Sequence, residues 1–195
     1  CAQVLAKALV KICDKGGEPL RAREAIRASS EALVIHREQH NKKAEAMDLY
    51  MLFVAKMYGG TSIRDGLKYG KEAASIYKEL GFKWWYAVVL RTIADQFRFK
   101  GNSREGLPYA EEAMAIFTDI GCGRGWEEAT LSTVIGAYID SEDKGVALEI
   151  AREGVEKMRA SGDKRKEAQA TSVLASAFSI VEDNDEAIST AQVAL

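Results

Sequence analysis

Two ladders of residues recur along this chain with a period of 40 to 41, and that repetition constrains the fold more than any single motif. Glu31, Glu72, Glu112 and Glu153 each precede a helical stretch rich in small residues, at spacings of 41, 40 and 41. A second ladder, Ala25, Gly66, Gly106, Ala147 and Ala187, runs at 41, 40, 41 and 40. A period of this length marks an array of stacked supersecondary units, each burying its apolar face on its neighbours.

Within the clearest unit, Phe82 to Gly121, two amphipathic stretches are broken by Lys100-Gly101-Asn102. Tyr86, Leu90, Ile93 and Phe97 form a stripe at i, i+4, i+7 and i+11, the spacing of one helix face. Counterparts are Tyr50, Phe53 and Met57, then Leu131, Val134 and Tyr138, then Leu174 and Phe178. The first helix, before residue 18, carries Leu5, Ala8 and Ile12 at matching positions. Small residues line the second helices and let neighbours approach closely. Only two prolines interrupt the chain, which favours helices over a loop-rich or all-β fold. The expectation is an all-α array over residues 1–195, with repeats near 1–40, 41–81, 82–121, 122–162 and a truncated 163–195. That makes about four and a half hairpins.

The pattern of Leu90, Ile93, Ala94, Phe97, Gly106 and Ala113 resembles the tetratricopeptide repeat (TPR). The longer period is similar to the lengthened repeats of kinesin light chain and Pins-type adaptors, in which Gly81, Gly121 and Gly162 would close each second helix. The resemblance implies a right-handed α-solenoid that binds proteins and carries no catalysis. The aromatic often found four residues into the second-helix pattern is replaced by Gly70, Ala110 and Ala151, and two further positions depart from the pattern. His40 stands where later repeats have the closing glycine, with Asn41 beside it as the candidate left-handed residue. Pro108 lies five residues past the expected cap at Ser103, which predicts a displaced helix start or a slight kink. Residues 1–17 and 187–195 supply only parts of hairpins, so a segment of a longer protein, or ends covered by partners, is expected.

Composition narrows the function classes. With 27 basic and 29 acidic residues the net charge is −2, which leaves no electrostatic footprint for nucleic acid. No apolar run approaches the ~18 residues of a membrane span. Three cysteines without a CxxC pair favour a reducing, intracellular compartment over a disulfide framework. His36 and His40 stand at i and i+4, but Arg37 occupies the place where HExxH needs Glu, so no metal site is expected. Gly121-Cys-Gly-Arg-Gly125 follows a helix, not the strand a dinucleotide loop requires, and reads as a turn between repeats. With both histidines in one helical turn, no nucleophile–base arrangement is credible. The chain is expected to be neither an enzyme nor a cofactor protein.

Trp84-Trp85-Tyr86 carries the functional expectation. Tyr86 belongs to the core stripe, and Trp85 and Trp126, at equivalent positions, suit packing between repeats. Trp84, Val88, Arg91, Asp95 and Arg98 fall on a different stripe, which in the resembled family lines the concave groove. Met51, Tyr58 and Ser132 hold corresponding positions in adjacent repeats. Trp and Arg are the types most enriched in binding hot spots. The Lys and Asn pattern of the family's chaperone-tail clamp is missing at Met51, Ala55, Arg91, Asp95, Ser132 and Gly136. A protein or peptide partner, within a larger assembly, is therefore expected along this stripe. The alternative is a regulatory domain sensing a ligand or peptide for an effector fused to it.

Overall fold

The computed structural model describes residues 19–58, 63–121, 126–181 and 184–194. The first predicted helix, the cysteines and residues 122–125 lie outside them. Nine helices form among the described residues, and no strand: α1 Pro19–Glu38, α2 Lys42–Tyr58, α3 Ile63–Glu79, α4 Lys83–Phe99, α5 Ser103–Asp119, α6 Trp126–Asp140, α7 Lys144–Ala160, α8 Lys164–Ile180 and α9 Asn184–Ala194. Turns too short to cross the fold make consecutive helices neighbours. The result is an all-α solenoid of helical hairpins.

Contacts gather the chain into two compact units, Cys1–Val89 and Leu90–Leu195, with the division inside α4. In the first, α2 packs on α1 and on α3. Its core holds Leu49, Phe53, Ala73 and Tyr77 at 0% exposure. In the second, α5 packs on α6, α6 on α7 and α8, α7 on α8, and α8 on α9. Leu131, Ile135, Ala147, Ala151, Met158 and Phe178 form its main core. The periodic stripe read from the sequence thus reaches the interior at Leu90, Ile93 and Phe97. Tyr86 departs from it. It is half-buried, with the Lys78 ammonium over its ring, 5.2 Å from the centroid.

The turns explain where each helix stops. Gly81, Gly101, Gly121 and Gly162 all have positive φ, between 59° and 74°. At Gly81 the Phe82 N–H donates to the Tyr77 carbonyl at 2.9 Å, the six-to-one bond of a Schellman cap. At the turn before α2 the left-handed residue is His40 itself, at φ 54°, with Asn41 N–H donating to the His36 carbonyl at 2.9 Å. Asn41, expected in that role, instead caps α2, accepting from the Ala44 N–H at 3.2 Å. Its short amide side chain suits it to that end of the turn. α5 begins at Ser103, after Asn102, so Pro108 sits inside an undisplaced helix. Its missing N–H leaves only one internal bond unmade.

One electrostatic device recurs where hairpins meet. Arg37 Nε donates to Glu45 Oε1 at 2.9 Å and Lys42 Nζ to Glu45 Oε2 at 2.8 Å. In the second unit Arg159 Nε donates to Glu167 Oε1 at 2.9 Å and Lys164 Nζ to Glu167 Oε2 at 2.7 Å. Both cations come from the flanks of one turn, and the carboxylate from the next helix. Lys78 over Tyr86 occupies the same eight-residue span across the Gly81 turn. Burial alone pushes the Glu45 carboxyl up, but Lys42 and Arg37 more than reverse this and leave it below its ordinary 4.5. The hydrogen bond from Lys164, then that from Arg159, lowers Glu167 as well.

A carboxylate lowered on folding stabilises above its unfolded value and loses that contribution as pH falls through the folded one. Below pH 4.5 the thermal midpoint of the protein should therefore fall more steeply than that of a Glu45→Gln, Glu167→Gln double variant. Parallel pH profiles for the two proteins would show that the clamps add nothing to stability.

Candidate functional site

The stripe singled out in the sequence runs along first helices of hairpins: Met51 and Tyr58 on α2, Trp84 to Arg98 on α4, and Ser132 on α6. In the first unit, Met51 and Val88 are buried, at 1% and 4% exposure. The Tyr58 side chain lies outside the described ones. Trp84 is half-buried and meets Trp85 edge-on at 4.7 Å between ring centroids. Trp85 in turn stacks on Tyr77 at 5.8 Å and receives Tyr50 edge-on at 6.4 Å. Its partners come from both helices of the preceding hairpin, so Trp85 does pack between repeats, with Trp84 resting on its edge.

The second unit repeats this arrangement with an arginine. Trp126 stacks on Phe117 at 5.8 Å, and the Arg91 guanidinium lies 5.1 Å from the Trp126 ring centroid. Arg91 Nη1 is also 3.5 Å from Asp95 Oδ2, one turn along α4. Its Nε is buried and finds no acceptor among the described residues, so stacking holds this side chain more than hydrogen bonding does. Asp95 accepts from Thr133 Oγ1 at 2.9 Å, which ties α4 to α6.

Arg98 completes the tie. Its Nε donates to Asp140 Oδ2 at 3.1 Å, and the Ser103 hydroxyl donates to the same oxygen at 2.9 Å. The guanidinium lies flat on Gly136, where an added Cβ would meet Arg98 Nη2 and Cζ at 2.3 and 2.4 Å. A glycine inside α6 costs roughly 1 kcal/mol of helix propensity against alanine, and here it makes room for the arginine. Both arginines thus have a carboxylate beside them, and the pair of arginines binds α4 to α6 as well as facing outward in part. Ser132 is exposed, one helix turn before the covered Gly136.

Asp140 and Thr133 were not singled out as members of this cluster. The available signal was their distance along the chain from the stripe, close to one period: Arg98 to Asp140 spans 42 residues and Asp95 to Thr133 spans 38. Elsewhere, His36 Nδ1 is 2.5 Å from Asp48 Oδ2, so the imidazole is engaged between α1 and α2. Among the described residues no group of three or more His, Cys, Asp or Glu side chains is gathered as for a metal ion. Nor is any helix there long and apolar enough to cross a membrane.

The Arg98–Asp140 pair is partly exposed, so its net worth is small, about 0–1 kcal/mol. Charge reversal at Arg98 is expected to cost more, roughly 1–2 kcal/mol, by facing two carboxylates together. An Arg98→Glu, Asp140→Arg double variant should recover part of that loss in urea denaturation. Strict additivity of the two single changes would show that the side chains do not interact.

No protein-family model matches the sequence, and no curated protein matches it. Solved structures do. The "nearly identical TPR-like repeats" of a Podosopora anserina protein assigned as a kinesin light chain superpose with a TM-score of 0.77 at 12% identity, over 98% of this chain and 92% of that one. A single-substitution variant of those repeats superposes with the same TM-score and coverage at 13% identity. At that identity the likeness is one of fold: this chain has the TPR-like repeat fold.

Proposed function

We propose that the chain is a non-catalytic scaffold for protein–protein contacts, which receives a peptide or helix along the first-helix stripe. The observation that carries this reading is the TPR-like fold over almost the whole chain, since stacked hairpins exist to present one long face of repeated helices. The chemistry of the stripe supports it. Trp84 offers a partly exposed indole in the first unit. In the second, Arg91, Asp95 and Arg98 offer charges already oriented by internal partners, so little side-chain entropy is lost when they are used. Met51 and Val88, being buried, back the stripe and do not touch the partner.

Ser132 is the position to test, because it is exposed on α6. A photo-cross-linking side chain placed there should give an adduct in an extract of the source cells, whereas one at Glu149, exposed on α7, should not. Adducts from position 149 alone would move the interface to the second helices. Arg91 and Arg98 are poor test positions: their loss would weaken the α4–α6 contact and binding together.

A further inference from the structure

A cleft of about 220 Å³ opens in the second unit where α7, α8 and α9 meet, away from the first-helix stripe. Val155 and Leu174 form its apolar floor, at 5% and 9% exposure. Its walls carry Arg152, the Glu156–Arg159 pair, and the hydroxyls of Thr171, Ser189 and Thr190. We propose that this cleft is a carboxylate site, matched to one acidic side chain of a protein partner.

The argument is one of unmatched donors. Arg159 is neutralised, with Nη1 2.7 Å from Glu156 Oε1 and Nε 2.9 Å from Glu167 Oε1. The Thr171 hydroxyl donates to the Glu167 carbonyl at 2.8 Å. Arg152 differs. Its guanidinium stands over the Phe178 ring, 5.4 Å from the centroid, and has no carboxylate partner among the described residues. The Ser189 and Thr190 hydroxyls likewise have no hydrogen-bond partner among them. The cleft thus presents one uncompensated positive charge, a planar fork of donors fixed against an aromatic face, and two hydroxyl donors. A carboxylate supplies the matching single negative charge and the planar acceptor pair that such a fork recognises. A phosphate would bring more charge than the cleft balances, with Glu156 on its wall opposing the excess. That the carboxylate comes from a protein rests on the scaffold reading above. The site itself does not.

The test uses the full chain with two neutral-backbone probes, aspartate and asparagine, each acetylated and amidated at its ends. Titration with the aspartate probe should move the amide resonances of Ser189 and Thr190 saturably in the millimolar range. The asparagine probe and chloride at equal ionic strength should not. Arg152→Gln should weaken the response at least about tenfold, and Arg152→Lys should recover part of it. Equal thermal midpoints for the two variants would separate lost binding from lost packing on Phe178. No saturable shift, or an unchanged one in Arg152→Gln, overturns the site. Saturable binding of the aspartate probe, with adducts at position 132 that do not depend on Arg152, keeps the site and removes the partner as the source of its carboxylate.

Discussion

Replacing Tyr77 by alanine is expected to cost about 3–5 kcal/mol, the range for truncating a large aromatic in a packed core. Tyr77 is fully buried on α3 and is the ring on which Trp85 stacks at 5.8 Å, with Phe82 edge-on at 6.4 Å. Its removal would empty the contact between hairpins, and Trp85 would lose the face that orders it. The hydroxyl contributes little of this. Its partner among the described residues is the Met47 sulfur at 4.0 Å, a weak acceptor, and burial followed by the nearby Tyr50 and Asp48 pushes its ionisation far upward. Tyr77→Phe should accordingly stay within about 1 kcal/mol of the parent protein. Urea denaturation followed by helical circular dichroism would measure both. A loss below about 1 kcal/mol for Tyr77→Ala would show that the ring is not a core element.

The second large effect is expected at Gly106. A Cβ there would lie 2.9 Å from Phe97 Cβ and 3.1 Å from the Ala94 carbonyl oxygen, atoms that no rotamer change can move. α4 and α5 would have to separate. Gly106→Ala should destabilise by about 1–2 kcal/mol even though alanine is the better helix former, and Gly106→Leu by about 3 kcal/mol or more. Gly145 is the control. It also lies in a helix, α7, but an added Cβ there meets nothing within 4 Å. Gly145→Ala should stabilise by up to about 1 kcal/mol. If both alanine variants gained stability, the close approach of α4 and α5 would be refuted.

These two sites also show how much was legible beforehand. The ladder that contains Gly106 repeats with the period of the array, so a small residue was expected where helices approach closely. The closing glycines at 81, 121 and 162 were legible for the same reason, since positive φ is costly for any side chain. His40 was less so. A non-glycine residue can take the left-handed conformation when the surrounding turn demands it, and the choice between His40 and Asn41 was made by the hydrogen bonds on either side. Tyr86 was misplaced for a related reason: the stripe gave its angle on α4, while its position in the first turn left it open to Lys78.

The candidate site was legible as a face and not as a set of contacts. Periodicity placed Trp84, Arg91, Asp95 and Arg98 on one side of α4, because side-chain direction follows from residue number in a helix. It could not say that Arg91 would reach Trp126, or that Arg98 would lie on Gly136 beside Asp140. A long side chain has several rotamers, and which one is occupied depends on what the next hairpin brings within reach.

By itself the sequence determined that this protein is a helical repeat array, where the closing glycines turn it, and most of the residues that form the buried rows. Those are local properties, set by period, by helix geometry and by the conformational freedom of glycine. Only the tertiary structure decided which cations clamp one hairpin to the next, which arginines on the stripe are already paired, and that Arg152 stands over Phe178 without a carboxylate partner among the described residues. Such pairings join residues of different helices, and their energies depend on ångström distances that exist only once the hairpins have packed.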